Sequence, residues 1–286
     1  MKQSIGVIYL ALGRPYLAMA LLSAKSLRET NPEIPYTIVT NVMETPPEVT
    51  FFIEGVDRWI YVSECSSNNR SLKTRILDFS EYDNTVFLDC DTIVLGRLDK
   101  AQQILDYFDI ALRLNRYPQK RSGKGDVSVL PGAQISDLPH WNSGVMLMNR
   151  SDRTRRFFET WNNKFHELQC PYDQVSLVPT IFESDARVLS LDERWNATDP
   201  GLGRQKWRAS TIIFHYATNI CDALYQSILS YDGLVGSQDA NLETILFLEN
   251  KRLQKRKQCS LFRFSVIRAV WAITSPVSMK RYSTGV

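Results

Sequence analysis

Thr85-Val86-Phe87-Leu88-Asp89-Cys90-Asp91-Thr92 is the stretch on which the reading of this chain turns. Thr85–Leu88 is a short apolar run rich in β-branched and aromatic residues, the pattern of a strand buried on both faces. It closes on two carboxylates two residues apart. Side chains alternate along extended backbone, so residues i and i+2 point the same way and Asp89 and Asp91 can address one cation. Hard ions such as Mg²⁺ or Mn²⁺ take oxygen ligands, and their usual partner is a phosphate. In an open α/β sheet, ligands bind outside the carboxyl ends of the strands, which is where this pair falls. The bland alternative is a solvated turn after a strand.

The flanking sequence supplies the sheet. Ser4–Ala11 reads as a buried strand, Gly13-Arg14-Pro15 as a turn, and a helix follows to about Arg28 with Leu17, Leu21, Ala24 and Leu27 on one face. Further strands are expected at Tyr36–Thr40, Trp59–Val62, Ile110–Leu114, Gly144–Asn149, Val188–Leu191 and Thr211–His215, with Thr92–Leu95 extended. Helices are expected over Ser71–Phe79, Leu98–Leu105, a Ser151-capped run to about Leu168, Asp173–Val178 and about 238–257. Residues 115–140, rich in Gly and Pro, read as a long irregular or hairpin segment. The alternation predicts one α/β domain with a mostly parallel sheet.

Composition narrows the class. The 286 residues are 44% hydrophobic and 23% charged, which suits a globule able to bury a core without staples. The net charge of +3 is uneven: residues 251–286 hold nine Lys/Arg and no Asp or Glu, and the first 250 carry 25 basic against 31 acidic side chains. A mildly acidic body with a basic tail argues against a nucleic-acid binder. Five widely spaced cysteines without a CxxC pair fit a reducing compartment rather than a disulfide framework. Neither a signal peptide nor a transmembrane helix is expected, because Gly13-Arg14-Pro15 interrupts the early apolar run and no long apolar stretch exists.

Two enzyme classes use an Asp-x-Asp of this kind. Haloacid-dehalogenase-type phosphatases use the first Asp as nucleophile and the second as acid, but their pattern continues with Gly-Thr and opens the chain. Here Thr92-Ile93 follows, and almost 90 residues precede it. The alternative gathers more of the chain. Leu72-Lys73-Thr74-Arg75, Phe87-Leu88-Asp89-Cys90-Asp91-Thr92, Trp141-Asn142-Ser143-Gly144-Val145-Met146-Leu147-Met148-Asn149, Tyr172-Asp173-Gln174 and Phe214-His215-Tyr216 occur in that order. Together with the opening Tyr9-Leu10-Ala11 they resemble nucleotide-sugar glycosyltransferases of the GT-A fold, closest to family 8, over roughly residues 4–218.

That resemblance implies a GT-A-like (Rossmann-like) domain, placed over residues 1–235, and the basic, partly apolar sequence beyond it reads separately as a helical, basic C-terminal appendix over 236–286. It implies that Asp89, Asp91 and His215 ligate Mn²⁺ or Mg²⁺. Tyr9, Arg14, Lys73, Asp89, Ser143 and Gly144 would bind the donor, and Asn142, Asp173 and Gln174 would lie beside the sugar and its anomeric carbon as the catalytic candidates. The family's His motif continues with Gly and Lys-Pro-Trp, whereas Ala217-Thr218-Asn219 follows here. The implied reaction moves a sugar from a nucleotide donor, a UDP-sugar by the resemblance, to a glycan or lipid-linked acceptor with retention, in a setting such as bacterial cell-surface glycan synthesis. An inverting enzyme would need a carboxylate base, for which Asp192-Glu193 is the candidate turn. The basic cluster 251–257 and the aromatic run 261–273 suit an anionic membrane surface, so a cytoplasmic protein peripheral on the inner face of the membrane is the expectation. A phosphatase and a non-catalytic sugar- or nucleotide-binding module are the competing readings.

Overall fold

A computed structural model describes residues 4–43, 56–64, 69–115, 128–134, 137–169, 172–198 and 211–215. In chain order the elements are β1 (Ile5–Ala11), α1 (Arg14–Thr30), β2 (Tyr36–Thr40), β3 (Arg58–Tyr61), α2 (Asn69–Lys73), a 3₁₀ turn (Ile76–Phe79), β4 (Asn84–Leu88), β5 (Thr92–Val94), α3 (Asp99–Leu105) and β6 (Ile110–Leu114). They continue with β7 (Ser128–Leu130), β8 (Ala133–Gln134), β9 (Trp141–Asn149), α4 (Asp152–Leu168), α5 (Asp173–Glu183), β10 (Val188–Leu191), a 3₁₀ turn (Glu193–Trp195) and β11 (Ile213–His215). The helix expected at 238–257 and the basic tail lie outside the described residues. Among the described residues, no helix is long and apolar enough to cross a membrane.

Seven strands form one sheet in the order β10-β6-β9-β4-β1-β2-β3. All neighbours are parallel except β9, which runs antiparallel to both β4 and β6. The sheet is therefore mixed but mostly parallel, an α/β Rossmann-like architecture. Period-two alternation explains why its strands read as continuous apolar runs. Val7, Tyr9, Ala11, Val86, Leu88, Val145 and Leu147 pack on one side with Leu17, Leu21 and Ala24 of α1. Ile8, Leu10, Phe87, Met146 and Met148 pack on the other with Phe157 and Trp161 of α4 and Leu177 of α5.

Two expectations need correction. The helix read over Ser71–Phe79 is broken: α2 stops at Lys73 and a 3₁₀ turn resumes at Ile76. Thr74 N–H still reaches Arg70 O at 3.4 Å, but Arg75 N–H turns to Leu72 O at 3.0 Å, the tighter 3₁₀ pattern, while the buried Thr74 hydroxyl lies 2.7 Å from Ser71 O and 2.9 Å from Asn162 Oδ1. The helix expected at Asp173–Val178 runs on to Glu183 and contains Pro179. By contrast, Ser151 caps α4 as read, its Oγ accepting from Thr154 N at 3.3 Å.

β5 leaves the main sheet after the acidic turn and pairs antiparallel with β11, placing His215 opposite Thr92. That pairing carries a residue more than 120 positions away to the carboxyl edge of β4.

Candidate functional site

The acidic turn is held from three sides. Asp89 N–H donates to Gly144 O at 2.7 Å, so β9 supports it from the neighbouring strand. Cys90 is buried, its thiol directed at Leu10 O. Thr92 Oγ1 donates to Asp89 O at 2.8 Å and lies 2.8 Å from Ser23 Oγ. Ser23 in turn donates to the Tyr9 hydroxyl at 3.1 Å.

Tyr9 is therefore a correction to the reading as a donor-binding residue. It is fully buried in the layer between β1 and α1, with its ring edge-on to Tyr36. Burial pushes its phenol well above the usual range, and it supports the acidic turn from behind through Ser23 and Thr92. Arg14 is exposed at the first turn of α1.

Asp89, Asp91 and His215 come together, with their ligand atoms all within 4.8 Å of one another. Lys73 closes the cluster: its Nζ lies 2.6 Å from Asp89 Oδ1 and 4.0 Å from Asp173 Oδ2, and 5.2 Å from the centroid of the Phe87 ring. His215 Nε2 lies 3.1 Å from Asp91 Oδ1. The electrostatics follow from this packing. Burial would lower the Lys73 ammonium, but the carboxylates of Asp89, Asp173 and Asp91 outweigh it and hold it above its ordinary value. Burial, joined by Asp91, raises the Asp89 carboxyl against the pull of Lys73 and His215. Burial also opposes ionisation of Asp91 and His215, yet their mutual attraction wins, lowering the acid and raising the imidazole.

Two carboxylates and an imidazole converging at a strand end form an oxygen-rich donor set that fits a divalent cation. Gly144 makes room for the cluster, since a Cβ there would run into the His215 ring and lie 2.8 Å from Asp89 Oδ2.

The remaining candidates divide. Ser143 is buried and its hydroxyl donates to Asp173 Oδ2. Asp173 opens α5 without capping it through its side chain, and its carboxylate is turned to Ser143 and Lys73. Gln174 Oε1 accepts from Asn115 Nδ2 at 2.9 Å. Asn142 Oδ1 accepts from Gly144 N–H at 2.8 Å and from Asn196 Nδ2 at 2.9 Å, and its Nδ2 lies 3.4 Å from Asn115 Oδ1. Asp192 caps the 3₁₀ turn and pairs with Arg194 at 2.6 Å.

The sequence reading passed over Asn115, Arg113 and Asn196. Asn196 Oδ1 lies 3.0 Å from His215 Nδ1, and buried Arg113 holds the Asn196 carbonyl. Their local signal was slight: one Asn follows a strand and the other follows Trp195, whose burial anchors the turn.

No protein-family model matches the chain, and no curated protein sequence matches it. Solved structures do. The WbbM bifunctional glycosyltransferase, in its apo structure, superposes with a TM-score of 0.55 at 14% identity, over 82% of this chain and 51% of that one. This chain thus spans about half the length of WbbM. The galactosyltransferase LgtC, solved with donor and acceptor sugar analogues, gives a TM-score of 0.53 at 14% identity, over 80% of this chain and 95% of that one. At such identities the likeness speaks for architecture, and the chain has the GT-A-type fold of these glycosyltransferases.

Proposed function

We propose that the protein is a metal-dependent glycosyltransferase that moves a sugar from a nucleotide donor, of the UDP class, to a glycan or lipid-linked acceptor with retention. The observation that carries this reading is the Asp89, Asp91 and His215 cluster, flanked by Lys73, at the carboxyl edge of the central strand of a GT-A-type fold. Asp89, Asp91 and His215 would hold a divalent cation, Mn²⁺ or Mg²⁺, whose chemistry is the neutralisation of a departing diphosphate. Lys73 adds a fixed positive charge beside them. Gly144 lets His215 and Asp89 close in on the backbone of β9, which a Cβ there would prevent. The amide groups of Asn142 at the start of β9, Asn115 just past β6 and Gln174 in the first turn of α5 adjoin one another and suit sugar hydroxyls, which both donate and accept.

Retention is supported by where the carboxylates are committed. Asp173 faces Ser143 and Lys73, and the Asp192 carboxylate is forked onto Arg194. With these two carboxylates committed elsewhere, the proposed mechanism has the departing phosphate take the acceptor proton; Glu193, exposed and 3.9 Å from Arg113, is the carboxylate an inverting route would use. A phosphatase would need Asp91 as a general acid, and a carboxyl lowered by His215 is a poor one.

The test is release of UDP from a panel of UDP-sugars, with and without Mn²⁺. Metal-dependent release that disappears in Asp91→Ala supports the proposal. Turnover of a generic phosphate ester would favour the phosphatase, and Mn²⁺-dependent UDP binding without any release would favour a binding module. The basic 251–286 segment extends the proposal to a cytoplasmic protein on an anionic membrane surface. Co-sedimentation with phosphatidylserine vesicles, but not with phosphatidylcholine vesicles, is its check.

A further inference from the structure

Buried hydrogen bonds in this site have a polarity that can be read outward from the backbone. Gly144 N–H can only donate, so the Asn142 atom 2.8 Å away is the carbonyl oxygen. The Asn196 atom 2.9 Å from that same oxygen must then be its NH₂. The other Asn196 amide atom is therefore oxygen, and it lies 3.0 Å from His215 Nδ1. An amide oxygen only accepts, so Nδ1 carries a proton. In the neutral ring the lone pair then sits on Nε2, which faces Asp91 Oδ1 at 3.1 Å. That contact needs a positive charge between the two atoms: a proton while no ion is bound, or a divalent cation that takes the proton's place.

We infer that Asn196 is a positioning residue: through Asn142 and the Gly144 amide it fixes the His215 tautomer so that Nε2 is the nitrogen offered to a divalent cation. This rests on the metal reading above. The fold gives Asn196 little freedom to do otherwise. It is fully buried, and its carbonyl is held by Arg113. The next residue is stitched to β11, Ala197 N–H donating to Ile213 O and His215 N–H to Ala197 O, both at 2.9 Å. The loop that bears the amide and the strand that bears the imidazole thus move as one piece. Partners that set the tautomer of a ligating His typically change metal affinity about 10–100-fold when removed.

The experiment is a Mn²⁺ titration of the full chain, followed by electron paramagnetic resonance, with nitrogen modulation of the electron spin echo reporting imidazole coordination. Wild type is expected to bind Mn²⁺ with the nitrogen signature. Asn196→Ala is expected to bind about 10–100-fold more weakly and to lose that signature. Asn196→Asp keeps an acceptor facing Nδ1 but loses the amide donor to Asn142 Oδ1, and is expected to keep the nitrogen signature with an affinity between those of wild type and Ala. A folded Asn196→Ala that matches wild type in affinity and signature overturns the inference, as does an Asn196→Asp that loses the signature as fully as Ala. If wild type binds no Mn²⁺ at all, the metal reading fails and this inference falls with it. Should Asn196→Ala not fold, Asn142→Ala, which removes the acceptor that orients the Asn196 amide, decides instead: wild-type affinity and signature there overturn the inference.

Discussion

Gly144 and Lys73 do opposite jobs within a few ångströms of Asp89. Gly144 contributes the absence of a side chain: a Cβ would displace His215 and crowd Asn142 Oδ1 at 2.9 Å. Gly144→Ala is expected to weaken Mn²⁺ binding about 10–100-fold by moving a ligand. Overpacking should cost about 1–3 kcal/mol of stability. Metal titration alongside a denaturant melt separates the two. Lys73 contributes charge where burial disfavours it. Lys73→Met removes the partner 2.6 Å from Asp89 and leaves that carboxylate against Asp91. A loss of about 3 kcal/mol at pH 7 is expected by urea unfolding. Because Asp89 is already raised, that loss should shrink as the pH falls and the stranded carboxyl takes up a proton. A penalty independent of pH would contradict this account of the pair.

At the scale of elements, Asp109 ties together three pieces that share no local sequence. It is buried at the start of β6, accepts from Arg187 N, Nε and Nη2 at 2.9, 3.1 and 3.0 Å, and receives the α4-capping Ser151 hydroxyl at 3.4 Å. Burial alone would raise its carboxyl, but the Arg187 guanidinium and backbone amide outweigh it and hold it down at about 2. A depressed acid stabilises the fold above its unfolded value near 3.8, and this contribution fades as the pH drops through about 2. The difference corresponds to about 2 kcal/mol. Asp109→Asn should therefore be less stable by about that amount at pH 7, with the gap closing between pH 4 and pH 2. Acid titrations of the urea midpoint check it. The β5–β11 pair works at the same scale, since its antiparallel register is what delivers His215 beside Asp91.

For the whole molecule, the sheet serves as a scaffold whose β4 and β9 ends meet at one acidic floor. If that floor takes a nucleotide diphosphate through a cation, ligand binding must couple to global stability. UDP with Mn²⁺ at 100 times the dissociation constant should stabilise wild type by about 2.7 kcal/mol. Asp91→Ala should show no shift that depends on the metal. Equal shifts with and without Mn²⁺ in wild type would argue that the nucleotide is held by Lys73 and backbone alone. Much of this scaffold was legible in the chain. The apolar strand ending at Leu88, the capping Ser151 and the alternation of elements are local patterns, and each falls where it was expected. The break after Lys73 was not legible: it falls at Thr74, which Asn162 of α4 meets from across the fold at 2.9 Å.

Taken alone, the amino-acid order determined the strands, most of the helices and the identity of the acidic pair, since burial on both faces and carboxylate chemistry are written in consecutive residues. Which distant groups meet that pair was decided only in three dimensions. Tyr9 turned out to be a core support, Asp173 a partner of Ser143, and Asn196 a neighbour of His215. The physical reason is that hydrogen bonds and charges act over a few ångströms, and chain packing alone sets which residues come that close.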